Sequence, residues 1–172
     1  HIGDPNPKTH VLESIIRNDI DVDITFTYND IGATPIDVRA YYSCLRFMML
    51  PDILRTAGKV LTVDTDCVFM NDFEYPETPT GYFPRESLLG THGWEAQGTK
   101  VAAGCVYTDS RALPVAQAIA KRIEEGPMRW FIDQVALADV FDRVDDKAVT
   151  KFDGRFMDWE FIEGTVIWTG KG

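Results

Sequence analysis

The sequence predicts an α/β fold: a mixed, mostly parallel sheet with helices on both faces. Three observations carry this expectation. Strand-like apolar runs alternate with helix-like segments along the 172 residues, the pattern of a sheet layered with helices. Val60-Leu61-Thr62-Val63 is a short, largely apolar run, the kind found where a parallel strand is covered on both faces. Thr34-Pro35-Ile36-Asp37 carries the signals of a helix start just upstream: Thr34 to cap, Pro35 for the first helical position and Asp37 as the acidic partner of a capping box.

In chain order, His1 to Pro7 reads as the tail of a strand entering a Pro-rich turn. Residues 9–18 suggest a short helix with Val11, Leu12, Ile15 and Ile16 on one face. Val22 to Tyr28 alternates around Ile24 and Phe26 as a strand does. The capped helix runs from Thr34 to about Leu50, where Pro51 favours a break followed by a helical turn to Arg55. The 60–63 strand follows, and Asn71-Asp72-Phe73 looks like an outgoing turn. Residues 74–100 hold four Gly and three Pro and read as loop, with a short strand near Gly81–Phe83. Val101–Thr108 is another apolar strand, interrupted at Gly104. Pro114 opens a helix that stops at Gly126. Trp130–Phe141 is a second helix with Phe131, Val135, Ala138 and Phe141 inward. Ala148–Phe152 and Thr165–Trp168 are the last strand candidates.

Composition bounds the partners. At 45% hydrophobic and 26% charged residues the chain is ordinary for a globular protein with a real core. A formal charge of −10 disfavours nucleic acid and anionic membranes, both of which need basic patches. No apolar run is long enough to span a bilayer. Cys44, Cys67 and Cys105 lie in apolar stretches without a CxxC or Cys/His cluster, which argues against zinc and for buried thiols in a reducing, cytoplasmic setting. His1, His10 and His92 are scattered.

The chemistry concentrates after the 60–63 strand, at Asp64-Thr65-Asp66. Residues two apart share a side of an extended chain, so two carboxylates would meet beyond the strand's carboxyl end, where open α/β sheets bind ligands. Such a pair suits a hard cation, Mn²⁺ or Mg²⁺; the plainer alternative has one Asp capping a turn and the other solvated. Gly104 within a strand marks close approach by a ligand or chain, or a bulge. Asp133 and Gln134 fall early on a helix, where the dipole alone favours a carboxylate.

Tyr41-Tyr42-Ser43-Cys44-Leu45-Arg46-Phe47, a Leu-Pro-Asp break and Lys59 through Asp66 resemble GT-A-type glycosyltransferases of the glycogenin-like and lipopolysaccharide-galactosyltransferase-like group. Ala102-Ala103-Gly104-Cys105-Val106-Tyr107 is similar to that group's small-residue strand, and Trp130 through Leu137 to its Asp-Gln helix start. The resemblance covers residues 35–172. It implies a nucleotide-diphospho-sugar transferase fold and metal-dependent transfer of a sugar, with retention, from a UDP-linked donor to an unknown acceptor. It further implies that Asp64 and Asp66 hold the metal, and that Tyr42, Arg46, Thr65, Ala103, Gly104, Gly170 and Lys171 bind the donor. Asp133 and Gln134 would face the reacting sugar. Glu86 and Glu95 would be candidate bases if the outcome inverts, and Trp94 and His92 would stack on the acceptor.

Two departures stand out. The group's metal-binding His near the carboxyl terminus is replaced by Trp168 or Thr169, ahead of Gly170 and Lys171. Its first strand would precede His1, so residues 1–172 are expected to be one transferase-like domain lacking its amino-terminal strand. Two other classes compete. Val60–Phe69 also fits the nucleophile motif of haloacid-dehalogenase-like phosphatases, with Asp64 attacking phosphorus and Asp66 as acid/base. The two departures, in turn, fit a non-catalytic, transferase-like binding module.

Overall fold

A computed structural model describes residues 7–19, 37–85 and 100–169, which belong to two units, His1–Ile36 and Asp37–Gly172. In the first unit, the expected helix is α1 (Pro7–Asp19), braced by an Arg17–Glu13 ion pair one turn apart at 2.9 Å. Val11 and Ile15, on its expected apolar face, are exposed. The strand expected at 22–28 and the cap expected from Thr34 and Pro35 lie outside the described residues.

The second unit begins at Asp37, which is itself the helix cap. Its carboxylate accepts from the backbone N–H groups of Arg39 and Ala40 at 3.0 and 3.1 Å, so α2 spans Val38–Met48. Ala40, Cys44 and Phe47, four and three residues apart, form its buried stripe. Pro51 starts α3 (Leu50–Ala57), which ends where Gly58 adopts a φ of 73°, a left-handed geometry that only glycine takes without cost.

The strands are β1 (Lys59–Val63), β2 (Cys67–Phe69), β3 (Thr80–Pro84), β4 (Val101–Asp109), β5 (Val149–Lys151), β6 (Met157–Asp158) and β7 (Ile167–Thr169). Helices α4 (Leu113–Glu124) and α5 (Ile132–Phe141) lie between β4 and β5. The larger sheet has the order β1-β4-β3-β5. β1 and β3 both pair antiparallel with β4, while β3 and β5 are parallel. Thus β1, β3 and β5 run one way and only β4 is reversed, giving the expected mixed, mostly parallel set of directions. Because β4 lies between β1 and β3, two of its ladders are nevertheless antiparallel. A parallel neighbour requires a crossover, usually helical, and the described residues between β1 and β4 hold no helix. The smaller sheet has the order β2-β7-β6.

Burial corrects one expectation. β4 is buried along its whole length, whereas β1 is only half-buried, because the central position belongs to β4. Among the described residues of this unit, α2–α5 pack together on one face of the larger sheet. Phe47, Leu54, Ile119, Ile123 and Leu137 from α2–α5 pack with Val101, Ala103 and Val106. Ala102, Cys105 and Tyr107 face a second core instead, with Phe152, Met157 and Ile167 from the smaller sheet and its loops.

That face assignment shows a fault in β4. Val101 and Ala103 point to the helices, but Cys105 and Tyr107 point away, so the two-residue alternation slips between them. The ladder with β3 slips at the same place: Tyr82 pairs with Val106, and the next residue, Phe83, with Ala102. Residues 103–105 therefore bulge, with Gly104 at their centre.

Candidate functional site

The carboxyl ends of β1 and β3 point the same way. Together with the bulge of β4 and the first turn of α5 they enclose a cavity of about 790 Å³. Its polar floor comes from Arg46, Asp64, Arg85, Asp133 and Gln134; Phe83, Trp130, Phe131 and Trp159 give apolar walls.

Arg46 is in the last turn of α2, where a cation is favoured by the helix dipole. Its Nη1 donates to the carbonyl of Val63 at 3.0 Å and to Asp64 Oδ1 at 2.6 Å, tying the helix end to the end of β1. Its Nη2 stands 3.7 Å from Asp133 Oδ2. Asp133 is 4% exposed. Burial pushes its carboxyl above the usual carboxylate range, opposed by Arg46 and by the Gln134 N–H and reinforced by Asp64. That N–H donates to Asp133 Oδ1 at 2.8 Å.

Asp64 also explains the glycine. A Cβ placed on residue 104 would stand 2.7 Å from Asp64 Oδ2, so the close approach expected at Gly104 is made by a carboxylate of the chain itself, at a bulge. Ala103 lines the cavity beside it.

The remaining expected residues are placed differently. After Val63 the chain turns rather than staying extended, with the Cys67 N–H donating to the Asp64 carbonyl at 3.2 Å. Thr65 and Asp66 are exposed on this turn and are not among the cavity-lining residues. The premise of two carboxylates on one side of a strand gives way to one carboxylate inside and one outside. Tyr42 is half-buried, lies edge-on to Tyr41 with ring centroids 5.7 Å apart, and leaves the wall to Ser43. β7 pairs with β2 so that Thr169 is opposite Cys67, which brings the tail beside the acidic turn, with Thr169 on the cavity wall. Gly170, Lys171, Glu86, His92, Trp94 and Glu95 lie outside the described residues.

Arg85 belongs to no motif, and its only sequence signal is a cation directly after a strand in a chain of net charge −10. Its Nη1 donates to Gln134 Oε1 at 2.7 Å. Burial pulls its pKa down, against the nearby charges of Asp64 and Asp133. Phe131, the residue that starts α5, holds a φ of 70°, a strained conformation for a bulky side chain and one that clusters at functional sites.

Asp158 also lines the cavity. Its Oδ1 accepts from the backbone N–H groups of Glu160 and Ile162 at 2.7 and 3.3 Å. Burial opposes its ionisation, but the hydrogen bonds, one from Thr165 included, hold its carboxyl below the usual range.

The carboxylates of Asp64 and Asp66 are of the chemical kind that a hard divalent cation takes, with water and phosphate oxygens completing its sphere, but only Asp64 faces the cavity. Among the described residues no group of three His, Cys, Asp or Glu side chains is arranged for a metal. None of the described helices is long and apolar enough to cross a membrane.

No protein-family profile and no curated protein sequence matches the chain. Solved structures do. A glycosyltransferase involved in the glycosylation of the major capsid of PBCV-1 matches 99% of this chain and 90% of its own, with a TM-score of 0.57 at 12% identity. The apo-form glycosyltransferase GlyE of Streptococcus pneumoniae TIGR4 matches 84% of this chain with a TM-score of 0.53 at 14% identity. This chain spans only 40% of that protein's length. At such identities the likeness is one of architecture: the chain has the mixed α/β fold of these glycosyltransferases.

Proposed function

We propose that this protein transfers a sugar from a nucleotide-diphosphate donor, UDP-linked, to an acceptor hydroxyl, with retention at the anomeric carbon. The observation that carries the reading is the floor of the cavity. Arg46 from the last turn of α2, Asp64 from the end of β1, and Asp133 and Gln134 from the start of α5 converge on one enclosure in a fold shared with glycosyltransferases.

In this reading Asp133 and Gln134 hydrogen-bond the donor sugar, and the apolar walls exclude water from it. Arg46 supplies a fixed guanidinium toward the diphosphate, assisted by Lys171, and Ala103 and Gly104 complete the donor site on the cavity wall, with Tyr42 and Thr65 beyond it. The bond between C1 and the diphosphate oxygen breaks, and its electron pair leaves with the nucleoside diphosphate. The acceptor oxygen bonds to C1 from the same face and its proton passes to the departing phosphate oxygen. Asp64 and Asp66 would hold Mn²⁺ or Mg²⁺, which when bound offsets the charge developing on the diphosphate. The three free cysteines suit a reducing, cytoplasmic setting. The phosphatase reading loses ground because the solved structures whose fold the chain shares are glycosyltransferases.

The test is a panel of nucleotide sugars with Mn²⁺, read by release of nucleoside diphosphate and by thermal stabilisation, with Asp64→Ala as control. Turnover of one donor that disappears in Asp64→Ala supports the reading. No response to any donor would move it to a non-catalytic binding module.

A further inference from the structure

Gln134 is held from one side only. Its Oε1 accepts from Arg85 Nη1 at 2.7 Å. A guanidinium has donors and no acceptor, so the amide oxygen is the atom that must face it, and the two Nε2 hydrogens turn away. Nε2 has no hydrogen-bond partner among the described residues, and Gln134 lines the cavity.

Arg85 is fixed in turn. Its backbone N–H donates to the Lys100 carbonyl at 2.9 Å, closing the chain on either side of residues 86–99. Its rigid, half-buried fork sits in the field of Asp64 and Asp133, whose charges oppose the lowering of its pKa by burial.

We propose that Arg85 is a positioning residue that turns the Gln134 amide so that its two N–H donors, and not its carbonyl oxygen, face an oxygen of the bound sugar. This rests on the glycosyl-transfer reading and deepens it. A Gln134 whose oxygen is turned to Arg85 presents hydrogen-bond donors to substrate, and that oxygen, already accepting from a cation and facing away, is a poor nucleophile or base. Sugars that lack the matching hydroxyl are rejected, because buried donors left without an acceptor are costly.

Gln134→Glu separates the two roles. Glutamate keeps the size and gives Arg85 a charged acceptor, so the variant folds cooperatively but has no N–H donors. The expected result is a kcat for nucleoside diphosphate release about 10²-fold lower, the scale of losing one preorganised donor, with donor KM little changed. Retained or higher turnover would overturn the proposal, since an attacking oxygen survives in glutamate. Arg85→Met should lose kcat on the same scale, Arg85→Lys should restore part of it, and Arg85→Met should cost nothing further once Gln134 is Ala; independent, additive losses would overturn it. A readout without turnover is the side-chain amide signal of Gln134 in ¹⁵N NMR, assigned with Gln134→Ala. Arg85→Met should shift that signal and speed its hydrogen exchange, and an unchanged signal overturns the positioning role. A shifted signal in a protein that turns over no nucleotide sugar overturns the transfer reading instead.

Discussion

Asp64 fills the space that a side chain on residue 104 would need: its Oδ2 stands 2.7 Å from the Cβ that Gly104 lacks, and its Cγ 3.1 Å from it. The carboxylate cannot retreat without leaving Arg46, whose Nη1 is 2.6 Å from Asp64 Oδ1. Gly104→Ala should therefore act through Asp64. Expelling it from its site costs about 1–3 kcal/mol, the usual range for overpacking, and should abolish any activity that depends on Arg46 and Asp64 being paired. Urea unfolding gives the stability change, and nucleotide-sugar turnover gives the functional one. A Gly104→Ala variant with unchanged midpoint and turnover would mean that the glycine is needed only for the bulge.

Asp133 sets activity against stability. Burial raises its folded-state pKa above the ordinary value, despite Arg46. For a carboxyl raised on folding, the stability it contributes is present below its unfolded pKa and is lost as pH rises through the folded one. Asp133→Asn removes that loss while keeping an acceptor for the Gln134 N–H. Its thermal midpoint, relative to the wild type, should rise with pH through and above the ordinary carboxylate range near ~4. Turnover should fall at the same time. A difference that does not vary with pH would show that Asp133 folds with an unshifted carboxyl.

Asp109 titrates in the opposite sense. It caps a 3-10 turn at Ser110–Ala112 by accepting from the Arg111 N–H at 2.8 Å, and its other oxygen accepts from Arg111 Nε at 2.9 Å. Burial opposes its ionisation, but these bonds prevail and hold the carboxyl below the usual range. Its stabilisation is thus present above the unfolded pKa and lost as pH falls through the folded one. Asp109→Ala should cost about 1 kcal/mol at neutral pH, typical of a lost cap. The gap to the wild type in urea midpoint should narrow below pH ~4, and a gap that stays constant would sink this assignment.

How much of this was legible depends on whether a residue's neighbours are local in sequence. Pro51 and the 60–63 run announce their elements because turn chemistry and apolar patterning act over a few residues. Gly104 was readable as an anomaly for the same reason, since glycine inside an apolar strand has few explanations. Asp37, expected as the acidic partner of a capping box, is itself the cap of α2, because several residues in that stretch have capping side chains. Arg85 was invisible: its role comes from Gln134, 49 positions away. The shared side expected for Asp64 and Asp66 fails because side-chain alternation holds only while a chain stays extended, and the 64–67 turn ends that extension at once.

The cysteines offer a measurement free of any substrate. Cys44 and Cys105 are both fully buried, and burial pushes each thiol up to about 12, with Asp133 acting further on Cys44 and Cys67 on Cys105. Cys67 is half-buried and shifted in the same direction. Since the thiolate is the reactive form, Cys44 and Cys105 should be inert to a disulfide reagent such as Ellman's at pH 8. Cys67 should react slowly, and all three should react in urea. Adding Mn²⁺ with a nucleotide diphosphate should slow Cys67 further, because it closes the 64–67 turn that carries the two carboxylates. Rapid labelling of all three thiols in the native protein would contradict the buried strand and helix positions assigned to Cys105 and Cys44.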